Sequence, residues 1–107
     1  MNKFTEGEWE LRETSAALEI HPIGVDDMVP IAEFELGFCE EFDNKVRANA
    51  ALMLASKDMY EALEESTSSL LAILSEYRHL MSQPFINGIE VEIKNNRAAL
   101  AKARGES

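Results

Sequence analysis

Between Phe38 and Gln83 the chain contains neither glycine nor proline. Nothing in that stretch breaks a helix. The residues before it alternate apolar with polar, which is the period of a half-buried strand. This switch of period divides the chain into a strand-forming and a helix-forming part and predicts an α+β fold. With 107 residues, 46% of them apolar, a core can form and disorder is not the default. We expect a single domain over residues 1–107. It comprises an acidic three-stranded antiparallel β-meander over 1–42, a long helical segment over 43–82 and a shorter C-terminal helix over 84–105.

The strand pattern is explicit. Trp9 and Leu11 alternate with Glu10 and Arg12, and Thr14-Ser15 supplies a turn. Leu18, Ile20 and Pro22 alternate with Glu19 and His21, followed by the turn-like run Gly24-Val25-Asp26-Asp27. Ala32, Phe34, Leu36 and Phe38 then alternate with Glu33, Glu35 and Gly37. The result is a sheet with one apolar face and one glutamate-rich face turned to water. Pro22 and Pro30 cannot donate ladder hydrogen bonds and belong near strand ends or on an edge. Three short strands alone are marginal, so the helices are the expected cover. Trp9, Phe34, Phe38 and Phe42 are expected in the core between sheet and helices.

Asp43 or Asn44 can cap the first helix. Val46, Ala50 and Leu54 then fall on one face, widened by Ala48, Ala51, Leu52 and Ala55. Ser56 and Asp58 are cap-like residues within the run and point to a kink near Ser56. The next apolar stripe is Met59, Leu63, Leu70, Ile73, Tyr77 and Leu80, with Tyr60, Leu74 and Met81 beside it. From Leu70 it takes the a/d spacing of a helix that packs on another helix, although Ser66 weakens the seam. Residues 58–81 would extend about 36 Å, long for so small a domain. The seam Met59, Leu63, Leu70, Ile73, Leu74, Tyr77, Leu80 and Met81 is therefore expected to self-associate as a dimer or small oligomer. Pro84 is expected to end the long helix, since Gln83 before it disfavours the α region. Residues 89–93 alternate like a strand. Asn87 and Glu90, however, form a capping box, and Lys102, Arg104 and Gly105 read as a helix stop. These stop signals favour a helix from about 88 to 104.

Charge is distributed unevenly. The net charge is −10, and residues 1–43 hold two bases against twelve acids while the remainder is balanced. This balance argues against direct nucleic-acid binding, which needs a clustered basic surface, and against docking on an anionic membrane. No apolar run approaches the roughly 18 residues of a transmembrane helix. The opening MNKFTEGEWE carries no apolar stretch of the kind a signal peptide needs. The lone Cys39 excludes an internal disulfide and a multi-Cys zinc site. An acidic half in a small protein suggests an interaction surface, formed here by Glu10, Glu19, Glu33 and Glu35 with Asp26 and Asp27 at a turn. The plain alternative is that this charge only keeps the chain soluble.

Catalytic signals are absent. Glu76-x-x-His79 matches one element of the di-iron carboxylate bundles, whose i, i+3 spacing puts both ligands on one helix face. The second element is missing, His21 does not supply it, and Arg78 disfavours a cation, so neither a metal nor a cofactor is expected. Cys39 lies in an acidic run, a setting that disfavours a thiolate nucleophile, and reads as a buried or half-buried structural residue. No glycine-rich phosphate loop occurs. Lys45, Arg47 and Arg97 could hold an anion such as a small nucleotide if chains brought them together.

Three blocks carry a resemblance. They are Phe4-Thr5-x-Gly7-x-Trp9, the run Arg47-x-Asn49-Ala50-x-Leu52-x-x-Ala55-x-x-Met59-Tyr60-Glu61-Ala62-Leu63, and Ala98-Ala99-Leu100-Ala101-Lys102-Ala103. The chain resembles short bacteriophage and prophage accessory proteins. Glu8 and Lys57 stand where such proteins usually carry proline, and Lys57 favours a helix continuous through Ser56. The resemblance implies a phage setting in the bacterial host cytoplasm and a non-enzymatic protein that acts by binding. A host-directed or counter-defence interaction through the acidic surface is the leading expectation. An oligomeric sponge for a small signalling nucleotide and a structural phage accessory protein are the alternatives.

Overall fold

The computed structural model describes residues 4, 5, 7–24 and 29–106. Three strands come first: β1 (Trp9–Glu13), β2 (Ala17–Pro22) and β3 (Ala32–Glu35). A long helix α1 (Glu40–Tyr77), a single 3-10 turn (Arg78–Leu80) and helix α2 (Gln83–Ala103) follow. The sheet is an antiparallel meander in the order β1-β2-β3. The protein is thus α+β, with a three-stranded antiparallel sheet followed by a long and then a shorter helix. It divides within α1 into two compact units, Met1–Lys57 and Asp58–Ser107.

In the first unit, the β1–β2 turn closes where the sequence placed it. The Thr14 N–H donates to the Ala17 carbonyl at 2.9 Å, and the Thr14 hydroxyl accepts from the Ala17 N–H at 3.1 Å. Trp9 faces Pro22, Leu11 faces Ile20, and Leu18 and Ile20 face Phe34 and Ala32. These side chains share one face of the sheet because strand residues alternate sides. Leu18 and Ile20 are essentially sealed from water, as is Ala50 of α1. Along α1, Val46, Ala50, Met53 and Lys57 form an inward stripe at helical spacing. Two polar contacts tie this half of α1 to the strand segment. Arg47 Nε donates to the Glu13 carboxylate at 3.2 Å, and the Lys57 ammonium donates to the Gly7 carbonyl while lying 5.8 Å from the Trp9 ring centre.

Several expectations are corrected here. Strand β3 ends at Glu35, and Gly37 turns the chain with φ +104°, a conformation that only glycine adopts freely. Phe38 and Phe42 therefore leave the sheet pattern. They stack edge to face on each other with ring centres 5.0 Å apart and remain 68% and 46% exposed, outside the core. Trp9 and Phe34 are half-buried. His21, expected on the watery face, is 4% exposed, its ring held against the Glu19 carboxylate of the same strand. Cys39 is exposed.

Helix α1 starts at Glu40, earlier than an Asp43 or Asn44 cap would allow. Asp43 lies in the first turn and reaches back, accepting the Gly37 N–H at 3.1 Å. Its carboxylate near the helix N-terminus also favours the macrodipole. The helical hydrogen-bond pattern of α1 is not interrupted at Ser56. The Ser56 hydroxyl donates to the Met53 carbonyl at 2.6 Å within a continuous helix, so it is satisfied without breaking the ladder.

In the second unit, α1 ends at Tyr77, well before Pro84. Pro84 does not stop a helix but begins one. Ser82 is the N-cap of α2 in an extended conformation, and Pro84 occupies the first turn. There its missing N–H costs nothing and its fixed φ is already helical. Asn87 lies inside α2, where it accepts from the Gln83 side chain at 2.8 Å. Residues 89–93 are helical. The C-terminal stop behaves as read, with the Gly105 N–H donating to the Lys102 carbonyl and the Glu106 N–H to the Ala101 carbonyl. The two helices of this unit run antiparallel around a small core of Leu74, Ile86, Ile89 and Ile93, flanked by Leu70 and Met81. Tyr60 is buried at the other end, where its hydroxyl accepts from Arg104 Nη1 at 3.0 Å.

Candidate functional site

The polar face of the sheet is the first candidate. The register places Glu10 beside His21, Arg12 beside Glu19, and Glu19 directly opposite Glu33. Part of this charge is spent internally. Arg12 donates to the Glu10 carboxylate along its own strand, at 2.7 Å from Nε and 2.5 Å from Nη2. The His21 ring Nε2 lies 2.8 Å from the Glu19 carboxylate, and its Nδ1 is buried without a partner. Glu33 and Glu35 are exposed on β3, and no cation among the described residues pairs with them. The face therefore ends on an edge strand in carboxylates that no described cation neutralises. Like charges directly opposed across strands cost roughly 0.2–1 kcal/mol, so the Glu19–Glu33 pair is a standing repulsion. Asp26 and Asp27 lie outside the described residues.

The three bases of the anion-binding expectation do not form a set of free cations. Lys45 lies 3.9 Å from the Glu41 carboxylate one helical turn away, and Arg47 holds Glu13 at 3.2 Å. Both belong to the first unit and Arg97 to the second. Arg97 lines two shallow grooves of the helical hairpin, one with Leu71, Arg78, Glu90 and Lys94, the other with Glu64, Thr67 and Arg104. Arg78 there donates to Glu90 at 3.3 Å, and Arg104 is held by Glu106 and Tyr60. Those two hydrogen bonds, Glu106 first, raise the Arg104 pKa above its already high value.

The helix seam divides in two. Leu74 is buried against α2, with Leu70 and Met81 packed beside it. Leu63 is half-buried. Met59, Ile73, Tyr77 and Leu80 remain 56%, 40%, 50% and 73% exposed. The stripe that the sequence offers as one surface is thus partly used by the chain's own second helix. The Ser66 position is exposed, and the buried hydroxyl is that of Thr67, which donates to the Leu63 carbonyl at 2.8 Å.

Three connections escape sequence reasoning. His21 gives no signal, because strict alternation assigns it to water. The Tyr60–Arg104 bond joins residues far apart in the chain. Lys57 reads only as a departure from a proline, yet it reaches the Gly7 carbonyl and the Trp9 ring. The Trp9 indole in turn donates to the Thr5 carbonyl at 3.2 Å. Thr5, Gly7 and Trp9 of the opening motif thus have a structural role, tied to one another and to Lys57 of α1.

Among the described residues no three His, Cys, Asp or Glu side chains converge as a metal-ligand set. Glu76 and His79 are both exposed. No described helix is long and apolar enough to cross a membrane.

Comparison with curated proteins gives no match, and comparison with solved structures gives none either. A family match does exist, and it runs over the whole chain, residues 1–107. With its sheet, its long helix and its α2 hairpin all inside that match, the chain belongs to the phage family described as Salmonella phage P22 protein Y8K6.

Proposed function

We propose that this chain is a non-enzymatic phage accessory protein that acts by binding a basic surface of a host protein through the acidic face of its sheet. A host-directed role of this kind includes interference with host defence. The observation that carries the reading is the register-imposed opposition of Glu19 and Glu33, with Glu35 on the same face and no cation among the described residues paired with β3. A cationic partner would relieve that repulsion. Complementary charge would also speed encounter, an effect screened by salt over roughly 8–10 Å. The sponge reading gains no observation, since Lys45 and Arg47 are engaged in ion pairs.

The test compares the wild-type chain with the double variant Glu33→Lys, Glu35→Lys, each tagged and incubated with bacterial lysate at low salt. The expected result is a host protein that the wild type retains, that salt releases and that the variant fails to hold. Equal capture by both chains, or capture indifferent to salt, would show that this surface is not the binding site.

A further inference from the structure

We propose that two copies of the chain dimerise edge to edge through β1, joining their sheets into one continuous antiparallel sheet. The surface is the outer backbone edge of β1, on the opposite side of the sheet from β3. In the order β1-β2-β3, β1 is an edge strand, and among the described residues no strand pairs with its outer side. The Thr14 N–H donates to the Ala17 carbonyl, and the Ile23 N–H donates to the Glu8 carbonyl, at the two ends of the β1–β2 ladder. Antiparallel ladders alternate, so Glu8, Glu10, Arg12 and Thr14 turn their backbone groups toward β2. Trp9, Leu11 and Glu13 turn theirs outward, to the open edge. Such an edge is a template for another strand unless charge, proline or a bulge blunts it.

The side chains identify that strand as a second copy of β1. The strand reads Trp9-Glu10-Leu11-Arg12-Glu13. Glu10 and Arg12 share the polar face, and Leu11, 39% exposed, lies on the other. In an antiparallel pair, outward-turned residues must oppose one another to form the bonds. Centring the pair on Leu11 sets Leu11 against Leu11 and Trp9 against Glu13. Glu10 of each copy then stands opposite Arg12 of the other, at the non-hydrogen-bonded positions where side chains come closest. A slip of two residues either way opposes Glu10 to Glu10 or Arg12 to Arg12, so charge selects the centred register. Arg12 already holds Glu10 of its own strand. Its guanidinium has five donors, so it reaches the second Glu10 without releasing the first. Self-complementarity of this kind is what a two-fold interface requires.

The opposite edge of the sheet excludes the same pairing. On its polar face β3 carries Glu33 and Glu35, so two β3 strands laid antiparallel would set glutamate against glutamate. Charge thus blunts one edge of the sheet and makes the other self-complementary.

The test is the solution mass of the full chain by light scattering at tens of micromolar. The expected wild-type mass is twice the 12.0 kDa of one chain. Arg12→Glu and Glu10→Arg should each fall to the mass of one chain, because each sets like charges opposite one another. Mixed in equal amounts, the two variants should return to the doubled mass, because arginine then faces glutamate again. The chain carrying both changes should keep the doubled mass, which separates loss of pairing from loss of folding. A wild-type chain of monomer mass overturns the proposal. So does a dimer that persists in either single variant alone, or a monomer mass for both the mixture and the doubly changed chain.

Discussion

Replacing Leu74 by alanine tests whether the chain consists of two separately stabilised units. Leu74 is 5% exposed at the centre of the cluster formed with Ile86, Ile89 and Ile93. The change removes roughly three CH₂ equivalents at about 0.8 kcal/mol each. A cavity term is added because neighbouring side chains relax only partly, which brings the loss to about 3 kcal/mol within the usual 2–5. Every 1.4 kcal/mol is a factor of ten, so amide protection along α2 should fall roughly 150-fold, or to none where the hairpin holds less than that. The assay is native-state hydrogen exchange read by mass spectrometry on peptides from α2 and from β2. Protection in β2, whose Leu18 and Ile20 lie in the other unit, should stay within about twofold of wild type. An equal loss in both peptides would refute the reasoning, since it would mean that one cooperative transition governs the whole chain.

Other consequences follow from the same geometry. Tyr60→Phe removes the acceptor of the Arg104 hydrogen bond; Arg104 keeps Glu106 and solvent contact, which limits the loss, but it should read as a lower urea midpoint, and an unchanged midpoint would deny that bond a role. Lys57→Met removes the cation over Trp9 and the bond to the Gly7 carbonyl; it should cost about 0.5–1 kcal/mol and alter the emission of the single tryptophan, whereas identical spectra would argue against the contact. Glu33→Gln relieves the repulsion with Glu19 and should stabilise the chain by about 0.2–1 kcal/mol, a rise of about 1–5 °C in melting temperature that shrinks as salt is added; a lower melting temperature would contradict the assigned register.

The amino-acid sequence by itself determined the secondary structure closely, because that structure follows from periodicities local to the chain. Alternation fixed the three strands and their faces, and the stretch without glycine or proline fixed the long helix. Local signals also misled where two of them competed. Pro84 reads equally as a helix stop or a first-turn residue, and only the early end of α1 at Tyr77 made it the latter. Phe38 and Phe42 fit the apolar pattern until Gly37 turned the chain away from the sheet.

What the tertiary structure alone decided is which faces remain for a partner. A half-buried strand pattern says that one side faces water, yet His21 on that side of the central strand β2 is buried. A helical apolar stripe says that something must cover it, not what. The chain's own α2 took Leu70, Leu74 and Met81 and left Ile73, Tyr77 and Leu80 open. Ion pairs are decided in the same way, since Arg47 and Glu13 are distant in sequence and meet only because α1 passes β1. The physical reason is common to these cases. Burial and charge pairing depend on contacts between elements, and a one-dimensional pattern records the demand for such contacts without recording which element meets it.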